Sequence, residues 1–432
     1  MSTKYISQTN YTYIILLFYY YSLHEKKSNH KCIIYNIYTH THTIPYLYVY
    51  SIMSKRKHEQ VTALSSNNNY DAILLNNKKI IILIGQNKDS EAIWVRSVYN
   101  ELKTLLLTDP STKKAKLEIL SVESLSINVY SNVINDWHYV INRVPESSPS
   151  NIAKTATAIL KYCDLLNISV FNNYESYLIG QNKLLHHGIL SALSLTSPKS
   201  VLVRNIDTIK TIANQTKLKF PLLLKPNSGG YGRGILQFQT KDELMQFCDN
   251  NNNNNNKLFG NDGTALLQEF HGKLTGSTVY RIWTLNNCIQ CGIKVERPRG
   301  GFGGACLSDT CGRTQTIVHA LDVKKILDEK IINDILNIEK LCKADCCSVE
   351  FLFDQDNDGN DIMDKPIYFD VNMLSTLPTN LGINDNKIIN AENIWDGSNW
   401  NHWYFFALEI FDKILRTLSK NEKKKEGRGR VL

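Results

Sequence analysis

Nothing in the 432-residue sequence supplies the run of about twenty apolar residues that a membrane-spanning helix needs. The most apolar stretch, YIILLFYYYSL at 13–23, is too short, so no stable membrane insertion is expected. The sequence also lacks the closely spaced cysteines of a small secreted framework. Its ten cysteines are scattered and read as reduced thiols of a cytoplasmic protein. Cys288-x-x-Cys291 finds no partner pair at ribbon spacing, since Cys306 and Cys311 are spaced wrongly; Asn286-Asn287 before it reads as a hairpin turn instead of part of a zinc site. An excess of one charge is missing too. Of the net +8, residues 1–52 carry +3 and the tail 420–430 carries +4, which leaves about +1 for the body. A near-neutral body excludes the electrostatic footprint of a nucleic-acid binder. There is no internal repeat.

The N-terminal 52 residues contain neither the small-residue cleavage site of a secretory signal nor the arginines of a transit peptide. Met53 then opens MSKRKHEQ, an ordinary start for a soluble protein. The expected organisation is a non-functional extension at 1–52, a polar leader at 53–77, two domains at 78–195 and 196–418, and a basic tail at 419–432. The asparagine run at 250–256 cannot pack a core and reads as a surface insertion.

KKIIILIG (78–85) has the continuous β-branched character of a buried parallel strand. Helical spacing follows at 90–107, then strands at 117–122, 138–144 and 168–172, with a helix at 151–166. Strands and helices alternating at this pitch predict an open α/β sheet. One helix is expected over 176–195, carrying Asn182, Lys183 and the pair His186-His187, which amphipathic spacing puts on the surface.

The strongest local signal is KFPLLLKPNSGGYGRGILQF (219–238). A strand delivers Lys225, then Gly229, Gly230, Gly232 and Gly234 flank Tyr231 and Arg233, and a second strand follows. Glycines let backbone amides approach phosphate oxygens, and a lysine adds a point charge. By itself such a turn is as readily a plain hairpin. No Gly-Lys-Ser/Thr follows, which excludes a P-loop, and no helix follows, which excludes a dinucleotide fingerprint.

Order and spacing add to this. Gln268 and Glu269 end the run TALLQEF, Glu350 lies in CCSVEFLFD, and Asp370 and Asn372 lie two apart in IYFDVNMLSTLP. That spacing gives Asp370 and Asn372 one strand face. Carboxylate and amide oxygens are what Mg²⁺ takes, together with substrate phosphates.

Lys183, Lys225, the loop 229–234, Gln268-Glu269, Arg281, Glu350 and Asp370-Val371-Asn372 fall in an order that resembles the ATP-grasp superfamily, and most of all its RimK-type branch of amino-acid and peptide ligases. The resemblance spans about 78–418. It implies a Rossmann-like N-terminal domain followed by an ATP-grasp domain whose two α+β subdomains enclose ATP. Lys183 and Lys225 would contact the phosphates under a flap formed by 229–234. Gln268, Glu269 and Phe270 would line the adenine hinge, with Glu269 towards the nucleotide hydroxyls. Glu350, Asp370 and Asn372 would hold Mg²⁺, for which Mn²⁺ is a substitute. Arg281 and Arg297, with Arg299, would lie near the transferred phosphoryl group, and Gly300, Gly301, Gly303 and Gly304 suggest a second mobile loop.

Tyr280 stands where the family often has Asp, and two further departures, Glu350 for an Asp and Asp370 for a Glu, preserve charge and metal-ligand oxygens. The loop 300–308 lacks the arginine–asparagine pattern of glutamate-adding ligases, which argues against glutamate as a substrate.

The expected activity is ATP-dependent joining of a small-molecule or peptide carboxylate to an amine through an acyl phosphate, releasing ADP. A kinase of the same fold acting on a polyol such as an inositol phosphate, and a non-catalytic ATP-binding module resembling synapsin, are the alternatives. A homo-oligomer is compatible with the sequence.

Overall fold

The computed structural model describes residues 78–109, 112, 114–125, 133–215, 218–230, 234–251, 258–271, 278–296, 317–321, 323, 327–355, 361–374 and 406–418. The segments 1–52 and 53–77, Gly232 with Tyr231 and Arg233, most of the asparagine run, Arg297, Arg299, the loop 300–308 and the tail 419–432 lie outside them. Among the described residues no helix is long and apolar enough to cross a membrane.

The expected mixed α/β class is what the structure shows. Four parallel strands, β1 (Lys79–Ile84), β2 (Lys116–Ser121), β3 (Trp137–Arg143) and β4 (Ser169–Phe171), form a sheet in the order β2-β1-β3-β4. Side chains alternate across the sheet. Ile80, Ile82 and Ile84 pack with α1 (Ile93–Thr108) and the helix at 406–418. Ile81 and Leu83 pack with α2 (Ser150–Leu165). All five are buried, at ~1.5–3 kcal/mol per side chain, which explains an unbroken apolar strand where one-sided burial would give alternation.

The single helix expected over 176–195 is two: α3 (Tyr174–Gly180) and α4 (Lys183–Ala192). Asn182 causes the break, because its side-chain oxygen accepts the Leu185 amide at 3.2 Å and starts a new helix. Lys183 is thereby placed in the first turn of α4.

Two antiparallel sheets follow. The first has the order β5 (Ser200–Val203), β8 (Ala265–Glu269), β6 (Leu222–Pro226), β7 (Leu236–Phe238). One of its faces packs on α5 (Ile206–Gln215) and α6 (Lys241–Asn250) through Leu222, Leu224, Ala265 and Leu267. The second has the order β11 (Ile317–Ala320), β10 (Cys288–Glu296), β9 (Thr278–Leu285), β12 (Cys346–Gln355), β13 (Asp361–Asn372), with α7 (Glu329–Leu341) against it. The β9–β10 turn is Asn286-Asn287, both at positive φ, as the sequence indicates.

Two buried polar joints tie the parallel sheet to β12 and β13. Asn172, just after β4, takes the Asp345 and Cys346 amides on its side-chain oxygen at 2.9 and 3.0 Å. Glu146, just after β3, takes the Met373 and Leu374 amides on Oε1 at 2.7 and 3.2 Å. Gly180 makes room for that carboxylate: a Cβ there would lie 2.1 Å from Glu146 Oε1 and 2.9 Å from Met373 Cγ. Gly180→Ala is therefore expected to destabilise the fold by about 1–3 kcal/mol, read as a lower midpoint in urea unfolding.

Cys163, Cys248, Cys291, Cys342, Cys346 and Cys347 are free and buried, in keeping with the reading of reduced thiols. Cys288 is disulfide-bonded and departs from it.

Candidate active site

Strand alternation sorts the polar residues of both antiparallel sheets. In the first sheet Leu222, Leu224, Ala265 and Leu267 face the helices, so Lys225, Gln268 and Ser200 share the other face. Ser200 and Gln268 are direct cross-strand partners, and Gln268 pairs with Leu223, two residues from Lys225. In the second sheet Arg281 pairs with Glu350 and Glu350 with Asp370, while Ser348 pairs with Asn372. These five form a polar patch on one face, as the spacing of Asp370 and Asn372 predicts.

Helix α4 joins the two polar faces. Lys183 donates from Nζ to the Gly229 carbonyl at 3.3 Å, and its backbone amide donates to Asn227 O at 3.0 Å. Buried Asn227 accepts the Leu184 amide at 2.8 Å and donates to Asp262 at 2.6 Å. The glycine loop is thus held to the start of α4. Gly229 and Gly234 sit at φ +136° and +76°, conformations that side chains with a Cβ rarely adopt.

One turn on, His186 is 1% exposed and its Nδ1 lies 3.0 Å from Asp370 Oδ1. His187 reaches the first sheet, with Nε2 at 3.0 Å from Gln268 Nε2 and 3.1 Å from Ser200 Oγ. The expected surface placement of this pair is therefore corrected. Leu184 and Leu185 are the large apolar residues this helix exposes, and the histidines point inward to the two sheets. Burial, Lys225 and His186 push the His187 pKa down to about 4, so its ring is neutral near pH 7.

Burial alone would raise the Asp370 pKa. Lys183, His186 and Lys225 together outweigh that and hold it well below the usual carboxylate range. Lys225 Nζ also lies 5.3 Å from the centre of the Phe369 ring. Glu350 Oε1 is 3.4 Å from both Arg281 Nη1 and Asn372 Nδ2, and Arg281 Nε donates to Ser348 Oγ at 3.0 Å.

The donor set fits Mg²⁺. Asp370 Oδ1 is buried with no donor at hydrogen-bonding geometry, its contact with His186 being an ion-pair approach only. A second carboxylate and an amide lie on the same face, and all three offer oxygen. Among the described residues no group of three His, Cys, Asp or Glu side chains could hold a metal, so such a site would rely on Asn372 and substrate phosphates.

Other expected residues are placed differently. Glu269 does not share the face of Gln268: its Oε1 accepts the Lys219 amide at 2.9 Å and Oε2 lies 3.6 Å from His271 Nε2. The Phe270 amide donates to Pro221 O at 2.9 Å. A Cβ on Gly230 would lie 3.2 Å from Ser147 Cβ, which brings the glycine loop against the segment that carries Glu146. The sequence reading missed Ser200, Asn227 and Asp262; only the turn-like Asn261-Asp262-Gly263 offered a local signal for the last.

Comparison with known proteins fits this geometry. Residues 180–364 match the family described as the RimK-like ATP-grasp domain. That segment is therefore similar to an ATP-grasp domain. Two probable alpha-L-glutamate ligases of Stenotrophomonas maltophilia, from strains K279a and R551-3, are each 22% identical over 213 residues, which is 48% of this chain and 68% of theirs. The D-alanine–D-alanine ligase of Bacillus anthracis, in a crystal structure with ATP, superposes at a TM-score of 0.51 and 15% identity, covering 80% of this chain and 99% of that one. At that identity the likeness speaks for the fold. The matched segment includes Lys183, Lys225, Gln268, Arg281 and Glu350, while Asp370 and Asn372 lie just beyond its end.

Proposed function

We propose that the chain is an ATP- and Mg²⁺-dependent carboxylate–amine ligase with its nucleotide held between the two antiparallel sheets. The observation that carries this reading is the convergence on α4 of the polar faces of both sheets. Lys183, Lys225 and Gln268 form a phosphate and base side. Asp370, Glu350 and Asn372 form a metal side. The ligase names of the sequence relatives support the same reading.

In the proposed reaction a substrate carboxylate oxygen attacks the γ-phosphorus and ADP leaves. An amine then attacks the acyl phosphate carbon, phosphate leaves, and the amine gives up a proton. Lys183 and Lys225 would orient the phosphates, and Arg281 would stand beside the transferred group. When bound to Glu350, Asp370 and Asn372, Mg²⁺ would neutralise phosphate charge. Arg297 joins the proposed set from the sequence alone. The parallel sheet would present the second substrate from the segment after β3, and no nucleic acid or membrane partner is required.

The test is ADP release by the full-length chain with Mg²⁺ and pooled amino acids, dipeptides or inositol phosphates. Release that requires both a carboxylate and an amine is expected. Release with the inositol phosphates alone would replace the ligase with a kinase, and no ATP binding at all would overturn both.

A further inference from the structure

The contacts around Gln268 fix more than its position. Ser200 has one hydroxyl hydrogen, and its Oγ donates to the Pro198 carbonyl at 3.0 Å. With that hydrogen taken, Ser200 accepts from the Gln268 amide, and His187 Nε2, 3.1 Å from the same oxygen, shares that amide with it. The Gln268 amide lies 2.8 Å from the hydroxyl, so the –NH₂ end must face Ser200. The same nitrogen lies 3.0 Å from His187 Nε2, and a neutral imidazole can accept there. The –NH₂ end of the amide is then held within the protein by Ser200 Oγ and His187 Nε2, which lie 3.1 Å from each other. What Gln268 has left is its carbonyl oxygen, which accepts hydrogen bonds and cannot donate one.

We propose that His187 and Ser200 are specificity-determining residues: they pin the Gln268 amide so that only its carbonyl oxygen can meet the base of a bound nucleotide, which selects a base edge bearing an amino group over one bearing a carbonyl. This inference rests on the nucleotide site proposed above. An unpinned glutamine is indifferent, because rotation of its amide offers an acceptor to adenine or a donor to a 6-oxo purine. The pinned one is not, and a 6-oxo purine would set two acceptors against each other. Both residues act through Gln268, so both are positioning residues. The arrangement depends on α4: His187 follows His186, and their contacts with Gln268 and Asp370 tie the base side and the metal side to one helix.

The experiment compares binding of Mg–ADP and Mg–IDP to the full-length chain by calorimetry; the two differ at the purine six-position. The wild type is expected to prefer ADP by at least tenfold. His187→Ala and Ser200→Ala are expected to reduce that ratio at least fivefold, chiefly by tightening IDP, whereas Ser200→Thr, which keeps the hydroxyl, retains it. Equal weakening of both ligands, with the ratio intact, would show a merely structural role and overturn the inference. So would a wild type that binds ADP and IDP alike. A wild type that binds neither would overturn the underlying nucleotide site instead. Should His187→Ala fail to fold, the Ser200 pair of variants decides alone.

Discussion

Asp370→Asn is expected to reduce ATP turnover by roughly a hundred- to a thousandfold, the scale of removing one preorganised electrostatic group from a transition state. The argument rests on its surroundings. Asp370 is the carboxylate on which Lys183, Lys225 and His186 converge, and its ionised form is favoured despite burial. Asparagine keeps the shape and an oxygen but removes the charge, so Mg²⁺ loses a hard ligand and three cationic or polar groups lose their common partner. A depressed carboxyl pKa also means that ionisation stabilises the fold at and above the titration range of a free carboxyl group, so the variant should melt lower at pH 7, with the deficit shrinking only as pH falls below that range. Nucleotide binding separates the two effects. ADP affinity measured in EDTA should change little, while the gain in affinity on adding Mg²⁺ should largely vanish. A variant that keeps the Mg²⁺ gain and near-normal turnover would remove Asp370 from the metal site.

What could be read from the sequence follows the range of each interaction. The β1 run was legible because burial on both faces leaves a continuous apolar signature. Asp370 and Asn372 were legible as residues sharing one strand face because strand alternation is local. The histidines were not. Helix spacing assigns polar residues to solvent on the premise that a core is apolar, yet α4 packs against polar sheet faces. It is turned inside out, with Leu184 and Leu185 exposed and His186 buried. Lys183, His186 and His187 at i, i+3 and i+4 were the available signal. Glu146 and Asn172 lay further out of reach, since their partners are 173 to 228 residues away. The helix at 406–418 likewise joins the core on the first strand, a long-range contact that no local pattern encodes. Glu269 is a different case: the motif groups it with Gln268, while the alternation of their own strand puts the two side chains on opposite faces.

Replacing Glu339 with glutamine is expected to stabilise the protein, and more so as pH rises. Glu339 lies on α7, is 1% exposed, and has no donor at good hydrogen-bonding geometry. Burial pushes its pKa up to about 8; the Asn287 amide, the Thr284 hydroxyl and Lys413 offset this only in part. Between the free value near 4.5 and about 8 the folded chain holds a proton that the unfolded chain has released. Stability contributed by this site is therefore greatest below pH 4.5 and falls as pH rises towards 8, by about 1.4 kcal/mol for each pH unit crossed. Burial raises the neighbouring Cys342 thiol to about 12 and holds the Cys347 thiol well above its usual value, so both stay neutral across this window. Lys413, which pairs with Asp345, is lowered by burial to about 8 and titrates in the opposite sense above it, so comparison of variant with wild type up to pH 8 isolates the carboxyl. Chemical unfolding at pH 5 should find Glu339→Gln and the wild type within ~1 kcal/mol, and at pH 8 should favour the variant by roughly 2–4 kcal/mol. A gap that stays constant with pH would mean that Glu339 is ionised in the folded protein and already paired with Lys413.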